Sequence, residues 1–441
     1  MPAIITILGR PNVGKSSLFN ALLRKRIAIT SEISGVTRDR IYQRLKLEKG
    51  WVWLVDTGGF IISKHSSDPI NKKVLMQIEY AMNETDVCLF LVDAECEITE
   101  QDLQFARLLR KKGKNVWLIV NKIDKTNDLS AFYKLGFGEP IGISALHKQG
   151  ISDLKERLDK YAASIPIPKH RDAISIACFG KPNVGKSSLI NKILGEERVI
   201  VSEIPGTTRD RIQIPYKFED NELILIDTAG LRRKSKIRES LEFYSLLRTL
   251  RAITMTDVGI LLLDANDEMT NYEIRLCQEL LSSYKAVLIA FNKTDILDNK
   301  EQRFNYIKDR MSFWIPFFSY IPWFFISAKT GRGIKRLIRE ALAAARRRKQ
   351  HISTTDLNSF LKQATLHYAP PAGKHRRRVK IGFLQQVSGD IPHFVVYGRH
   401  LNDLPSNYRR YLLGQFYKHF SFSGVPLKIE YKEEKENNQK L

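Results

Sequence analysis

Two stretches of this 441-residue chain are near copies of each other at a constant offset. GRPNVGKSSLFN at 9–20 returns as GKPNVGKSSLIN at 180–191, and SEISGVTRDR at 31–40 returns as SEIPGTTRDR at 202–211. DTGG at Asp56 returns as DTAG at Asp227, and NKID at Asn121 as NKTD at Asn292. Each of these pairs is 171 residues apart. A fifth pair, SAL at Ser144 and SAK at Ser327, is 183 apart, so the second copy carries 12 extra residues before its last motif. Motifs that keep one spacing over so long a stretch imply one fold used twice, because the same loops must meet in each copy.

Within each copy, short β-branched apolar runs alternate with segments of helical period. Residues 4–8, 52–55, 87–92 and 116–120 are too short for helices and read as strands. Residues 101–111 place Leu103, Ala106 and Leu109 on one helical face. This alternation predicts an α/β fold, a parallel-rich sheet with helices on both faces. The prolines of 165–169 suit an extended link, which puts the first domain at 1–165, the link at 166–173 and the second domain at 174–350. The join as a whole, 159–173, is short and carries Lys160, Lys169, His170 and Arg171. From 351 to 432 the pattern becomes α+β, with strands near 379–385, 394–397 and 426–431 and a helix near 407–419. The polar tail 433–441 is expected to be disordered.

Charge and cysteine usage narrow the setting. Cys88, Cys96, Cys178 and Cys277 form no CxxC pair, which argues against a zinc site or disulfide framework and for a reducing cytoplasm. The most apolar stretch, 313–326, is broken by Pro316 and Pro322 and falls below the roughly 20 residues that cross a bilayer, so no membrane span is expected. Net charge is +23, and residues 346–441 hold 18 Lys and Arg against 7 Asp and Glu. Such an excess attracts polyanions, of which RNA is the expected partner.

The motifs supply the chemistry of a nucleotide site. GxxxxGKS spans Gly9, Arg10, Pro11, Asn12, Val13, Gly14, Lys15 and Ser16, followed by Ser17. Its second copy is Gly180, Lys181, Pro182, Asn183, Val184, Gly185, Lys186 and Ser187, followed by Ser188. The glycines let backbone N–H groups wrap a phosphate at a helix N-terminus, and Lys15 and Lys186 are placed to bridge the β- and γ-phosphates. Ser16 and Ser187 are the expected hydroxyl ligands of Mg²⁺, with Asp56 and Asp227 reaching the same ion from the end of a strand. Thr57, Gly58 and Gly59, and Thr228, Ala229 and Gly230, continue that motif, and the N–H of Gly59 or Gly230 can sense the γ-phosphate. Thr37 and Thr208 lie where a hydroxyl completes the metal shell only with triphosphate bound. Alone, either threonine would be a turn residue; recurrence in both copies favours the metal role.

Asp124 and Asp295 select the base. A carboxylate accepts from both N1–H and the exocyclic amine of guanine, whereas adenine N1 is itself an acceptor and would be repelled. Asn121 with Lys122, and Asn292 with Lys293, are expected to brace the base, and Ser144–Ala145 and Ser327–Ala328 to close the pocket. GTP and GDP are therefore the expected ligands. The residue after each DxxG is Phe60 or Leu231, neither of which can orient water, so unassisted hydrolysis should be slow.

With these residues in hand, the chain resembles the bacterial Der (EngA) family of tandem GTPases over nearly its whole length. The resemblance implies a KH-like third domain, association with the large (50S) ribosomal subunit and a role in its assembly. It also implies that K⁺, held partly by Asn12 and Asn183, supplies the missing positive charge during hydrolysis. Two departures stand out: no GxxG follows residue 350, and the join between the copies lacks the acidity common in the family. Any RNA contact is then expected from KHRRRVK (374–380) with Tyr368, Phe394 and Tyr397. ARRRKQ (345–350) is either a second RNA contact or a solvated helix end. The aromatic run FWIPFFSYIPWFF (313–325) is expected to be packing. A monomer is expected. Two other readings stay open: one module only senses nucleotide, or the chain is a signalling or tRNA-modifying GTPase without a ribosomal partner.

Overall fold

The structure, a computed structural model, describes residues 3–23, 42–48, 50–57, 82, 84–113, 115–124, 128–164, 173–196, 213–226, 241–314, 319–371 and 378–433. Outside them lie Thr37, Thr208, Gly58, Gly59, Phe60, Asp227, Thr228, Ala229, Gly230 and Leu231. Residues 166–172 of the link, 374–377 of the basic run and 434–441 of the tail also lie outside. The chain divides into two compact units, Met1–Arg171 with Ser235–Thr254, and Asp172–Lys234 with Met255–Leu441.

The first unit runs β1 (Ile4–Leu8), α1 (Lys15–Leu23), β2 (Tyr42–Lys46), β3 (Trp51–Asp56), β4 (Val87–Asp93), α2 (Glu100–Lys111), β5 (Asn115–Asn121), β6 (Ile141–Ile143) and α3 (Ile151–Ser164). Its sheet has the order β2-β3-β1-β4-β5-β6. All pairings are parallel except the β2–β3 hairpin. Every residue of β1 and β4 is buried, because helices cover both faces. Ile5, Ile7, Leu89 and Leu91 pack against Leu18 of α1 and Leu154 and Leu158 of α3. The alternate residues Ile4, Leu8, Phe90 and Val92 pack against Phe105 and Leu109 of α2. A run apolar at every position is therefore read correctly as a strand buried on both sides. The β2 strand, with polar Gln43, Arg44 and Lys46, gave no such signal.

The second copy repeats the plan: β7 (Ile174–Phe179), α4 (Lys186–Glu196), β8 (Gln213–Phe218), β9 (Asn221–Ile226), α5 (Leu241–Met255), β10 (Val258–Asp264), α6 (Asn271–Ser282), β11 (Ala286–Asn292), α7 (Lys300–Trp314), β12 (Trp323–Phe325) and α8 (Ile334–Arg348). The order β8-β9-β7-β10-β11-β12 matches the first sheet strand for strand. One helix departs from the sequence division: α5 belongs to the first unit through Thr254. There Leu247 and Leu250 join the cluster of Phe90 and Phe105. The Arg251 guanidinium gives two hydrogen bonds, 2.9 and 2.8 Å, to the Asp86 carboxylate.

The chain ends in α9 (Thr354–His367), β13 (Lys380–Val387), β14 (His393–Arg399), α10 (Ser406–His419) and β15 (Lys428–Glu433). These form a three-stranded sheet, β13-β14 antiparallel and β14-β15 parallel. Its helix-covered face shares one core with the second copy. Tyr320, from the aromatic run, stacks on Tyr417 at 4.0 Å, and Phe325 stacks on Phe304 at 3.9 Å, the packing role expected, here seen for the described part of that run.

Three expectations change. The join begins later than 159, since Asp159 and Lys160 belong to α3. Glu433 ends a strand instead of starting a tail, and its carboxylate accepts from the backbone N–H groups of His400 and Asn402. Arg346, Arg347 and Arg348 are committed within the protein: to Asn221 (2.7 Å), to Glu340 (2.6 Å) and the Ser423 carbonyl (3.1 Å), and to Asp257 (3.0 Å). The ARRRKQ segment is thus a ligated helix end. Among the described residues, no helix is long and apolar enough to cross a membrane.

Candidate active sites

Each copy places its phosphate loop between the first strand and first helix, at the carboxyl edge of the sheet, where doubly wound folds take their ligands. Val13 and Val184 are buried and pin the loop to the core, while Pro11, Asn12, Pro182 and Asn183 stand exposed. Asn12 and Asn183 adopt left-handed backbone, φ 67° and 65°, which asparagine tolerates better than most residues. Gly9 and Gly180 are required by space: a Cβ would lie 2.3 Å from the Leu91 carbonyl oxygen, or 2.2 Å from that of Leu262. At Gly14 and Gly185 it would lie 2.3 and 2.2 Å from the amide nitrogens of Asn121 and Asn292.

That last contact shows what the NKxD asparagine does. Asn121 Nδ2 donates to the Val13 carbonyl (2.9 Å), and its Oδ1 accepts from the Ala145 N–H (2.9 Å). Asn292 repeats both bonds, to Val184 and from Ala328, at 2.8 Å each. A buried amide thus ties three motifs together: the phosphate loop, NKxD and the SA pair.

The lysines are held in place before any phosphate arrives. Lys15 is 5% exposed and donates to the Arg10 carbonyl at 2.7 Å. Burial lowers its ammonium to about 8, against the pull of nearby Asp56 and with a further push from Arg10. Lys186 is likewise buried and donates to the carbonyls of Gly180 (2.8 Å) and Lys181. In the first copy Ser16 Oγ donates to Asp56 Oδ2 at 2.9 Å, so hydroxyl and carboxylate already face one point. Thr57 is turned inward and donates its hydroxyl to the Ile7 carbonyl at 2.8 Å, tying β3 to β1.

The side chains of Arg10 and Lys181 reach Asp102 (3.4 Å) and Glu273 (3.2 Å), while their backbone stays part of the phosphate loop. Both acids are almost fully buried and also close the capping boxes of Thr99 and Thr270, at the starts of α2 and α6. Ser17 and Ser188 are exposed on the first turns of α1 and α4.

At the base end, Lys122 and Lys293 take left-handed backbone, φ 68° and 65°. Their ammonium groups are fixed by Asp93 and Asp264, each at 2.7 Å. Sequence reading missed these two aspartates, although LVDA and LLDA repeat at the same 171-residue offset and would have revealed them. Asp295 accepts from the Ser327 hydroxyl at 2.6 Å, which is the first cause holding its carboxyl below the usual range. Asp124 lies 3.7 Å from His147, and the Ser144 hydroxyl oxygen accepts from the His147 N–H.

Residues 4–122 and 175–293 match the family described as 50S ribosome-binding GTPase. Residues 351–432 match the KH-domain-like domain of EngA bacterial GTPase enzymes. The chain is 40% identical to the GTPase Der of Caldanaerobacter subterraneus, over 99% of each chain. It is 41% identical to that of Fusobacterium nucleatum, over 98% of this chain and 99% of the relative. The chain belongs to the GTPase Der (EngA) family. It is thus a tandem GTPase that binds guanine nucleotide and hydrolyses GTP, built as two nucleotide-binding modules and a KH-like domain. Among solved structures, a crystal structure of Era in complex with MgGDPNP and a segment of 16S ribosomal RNA aligns with 60% of this chain and 93% of its own, at 18% identity and a TM-score of 0.31.

Proposed function

We propose that this Der-family chain acts in the cytoplasm in assembly of the large ribosomal subunit, its two nucleotide states setting domain arrangement and so its hold on rRNA. The observation that carries the reading is the pairing of two pockets alike in their described residues with a basic KH-like domain on one chain. Two clocks with the same lysine, asparagine clamp and base-reading aspartate are of use where two events on one RNA particle must be timed. The proposed domains are 1–165, 174–350 and 351–432.

In each pocket Lys15 or Lys186 neutralises the β- and γ-phosphates, and Asp124 or Asp295 holds guanine. The facing oxygens of Ser16 and Asp56 fit Mg²⁺, a hard cation that takes few protein ligands and completes its shell from phosphate and water. Thr37 and Gly59, with Thr208 and Gly230, are assigned their switch roles, and Asp227 its place in the Mg²⁺ shell, from sequence. Bound Mg²⁺ neutralises charge on the phosphates. Asn12 and Asn183, exposed at the loop apex in left-handed backbone, fit a K⁺ that would supply positive charge where Phe60 and Leu231 cannot. GTP turnover is expected to be roughly 10- to 100-fold faster in K⁺ than in Na⁺ buffer; equal rates would retire the potassium role.

Ribosome association is tested by co-sedimentation of the purified chain with 50S particles at graded salt. Phosphate contacts release counterions, so binding should weaken at least about tenfold between about 50 and 200 mM salt. Absence of co-sedimentation at low salt, with GTP analogue and with GDP, would favour a GTPase without a ribosomal partner.

A further inference from the structure

The C-terminal sheet has one face covered by helices and one open along its edges, where Phe383, Gln385, Arg399 and Lys432 are exposed while Val395 between them is buried. Leu384, Phe394 and Val396 point into the core with Leu357 and Phe360 of α9 and Phe416 of α10. Phe394 is 0% exposed, so it cannot take the RNA-contacting role that its sequence neighbourhood suggested. The register Phe383↔Tyr397 puts the adjacent pair on the opposite face. Their rings are stacked, 4.5 Å between centroids and 12° from parallel. Phe383 stands on the outer strand and keeps 40% of its surface exposed, so the stack can accept a further ring.

Cations surround this pair. Lys380 pairs with Arg399 at one end of the β13–β14 ladder, and both are exposed. On β15, Lys432 lies in register with Tyr397, and Lys428 with His393. Glu430 is the one carboxylate that β15 brings to this face between them, and it binds Lys428 at 2.6 Å. An exposed aromatic stack beside Lys380, Arg399 and Lys432, for which no ion pair is seen among the described residues, suits a ligand that offers flat π-faces and negative charge at a short repeat. Unpaired nucleobases on a phosphate backbone have that chemistry, whereas a duplex hides its base faces.

We propose that the open face of this sheet is a stacking platform for unpaired bases of single-stranded RNA, with Phe383 and Tyr397 receiving a base and Lys380, Arg399 and Lys432 its neighbouring phosphates. The proposal rests on the RNA-directed reading above and supplies a surface for a domain without a GxxG loop.

The test uses the full chain, a labelled single-stranded RNA of about 12 nucleotides, and a blunt RNA duplex of the same length. Phe383→Leu keeps an apolar side chain but removes the π-face, and should weaken single-strand binding about tenfold, within the range of one base–aromatic stack. Phe383→Trp should restore it, and neither change should alter duplex binding, GTP turnover or thermal unfolding. If Phe383→Leu binds the single strand as tightly as the unmodified chain, the platform is wrong and the RNA-directed reading survives. If single strand and duplex weaken equally, charge rather than stacking makes the contact, and the platform is again wrong. Failure of the unmodified chain to bind either RNA at low salt would remove both proposals.

Discussion

Lys15→Ala is expected to lower single-turnover GTP hydrolysis in the first pocket by roughly 10²- to 10³-fold, and Lys186→Ala to do the same in the second. The size follows from where the charge sits. Both ammonium groups are buried and already oriented by loop carbonyls, Arg10 for Lys15 and Gly180 for Lys186. Buried as they are, they leave little water to screen their attraction for phosphate. The fold should survive the change. Lys15 holds its proton less tightly in the folded chain than in the unfolded one, its value falling to about 8. At neutral pH the desolvated charge therefore costs the nucleotide-free fold stability, so its removal should leave Tm unchanged or slightly higher. Each variant is measured alone, with the double variant as background. Loss of turnover in one variant only would mean that the other module senses nucleotide without hydrolysing it. Retention in both would remove the lysines from the mechanism.

Asp295→Asn is expected to exchange guanine for xanthine in the second pocket, and Asp124→Asn in the first. An ionised carboxylate only accepts hydrogen bonds, and the Ser327 hydroxyl on Asp295 favours that ionised form. Asparagine would set an N–H₂ group against the guanine amine, donor facing donor. Xanthine carries a carbonyl at that position and keeps N1–H, so the amide satisfies both. GTP affinity should fall by about 10³-fold while xanthosine triphosphate gains by a similar factor, because a buried polar mismatch costs far more than a lost methylene. Competition binding with both nucleotides gives the answer. Undiminished GTP affinity would show that the base is read elsewhere.

The nucleotide-site motifs could be read from the chain because each is contiguous and appears twice. GxxxxGKS, DxxG and NKxD bring their own local geometry, and a shared offset excludes coincidence. The partnerships that hold these motifs together could not be read in the same way. The Asn121 clamp spans 108 residues to Val13, and the Arg10–Asp102 pair joins a loop to a helix cap far along the chain. Such pairs form where sheet order brings strand ends side by side, and nothing local in either residue announces the other.

The KH-like domain shows the limit most plainly. Alternation along β13 and β14 separates Phe383 and Tyr397 from Leu384, Phe394 and Val396, but it is silent on which set the helices cover. The bulge between Ile381 and Phe383 shifts the register as well, so spacing alone misleads there. The arginines of α8 likewise read as a free basic patch until Asn221, Glu340 and Asp257 are seen beside them. What the sequence determined alone was the duplicated α/β plan and the phosphate loops, with the proposed guanine role of the NKxD aspartates, since these depend on short-range backbone geometry and side-chain chemistry. Only the tertiary structure decided which faces are covered and which charges are already paired, because burial and neutralisation depend on what the rest of the chain places opposite.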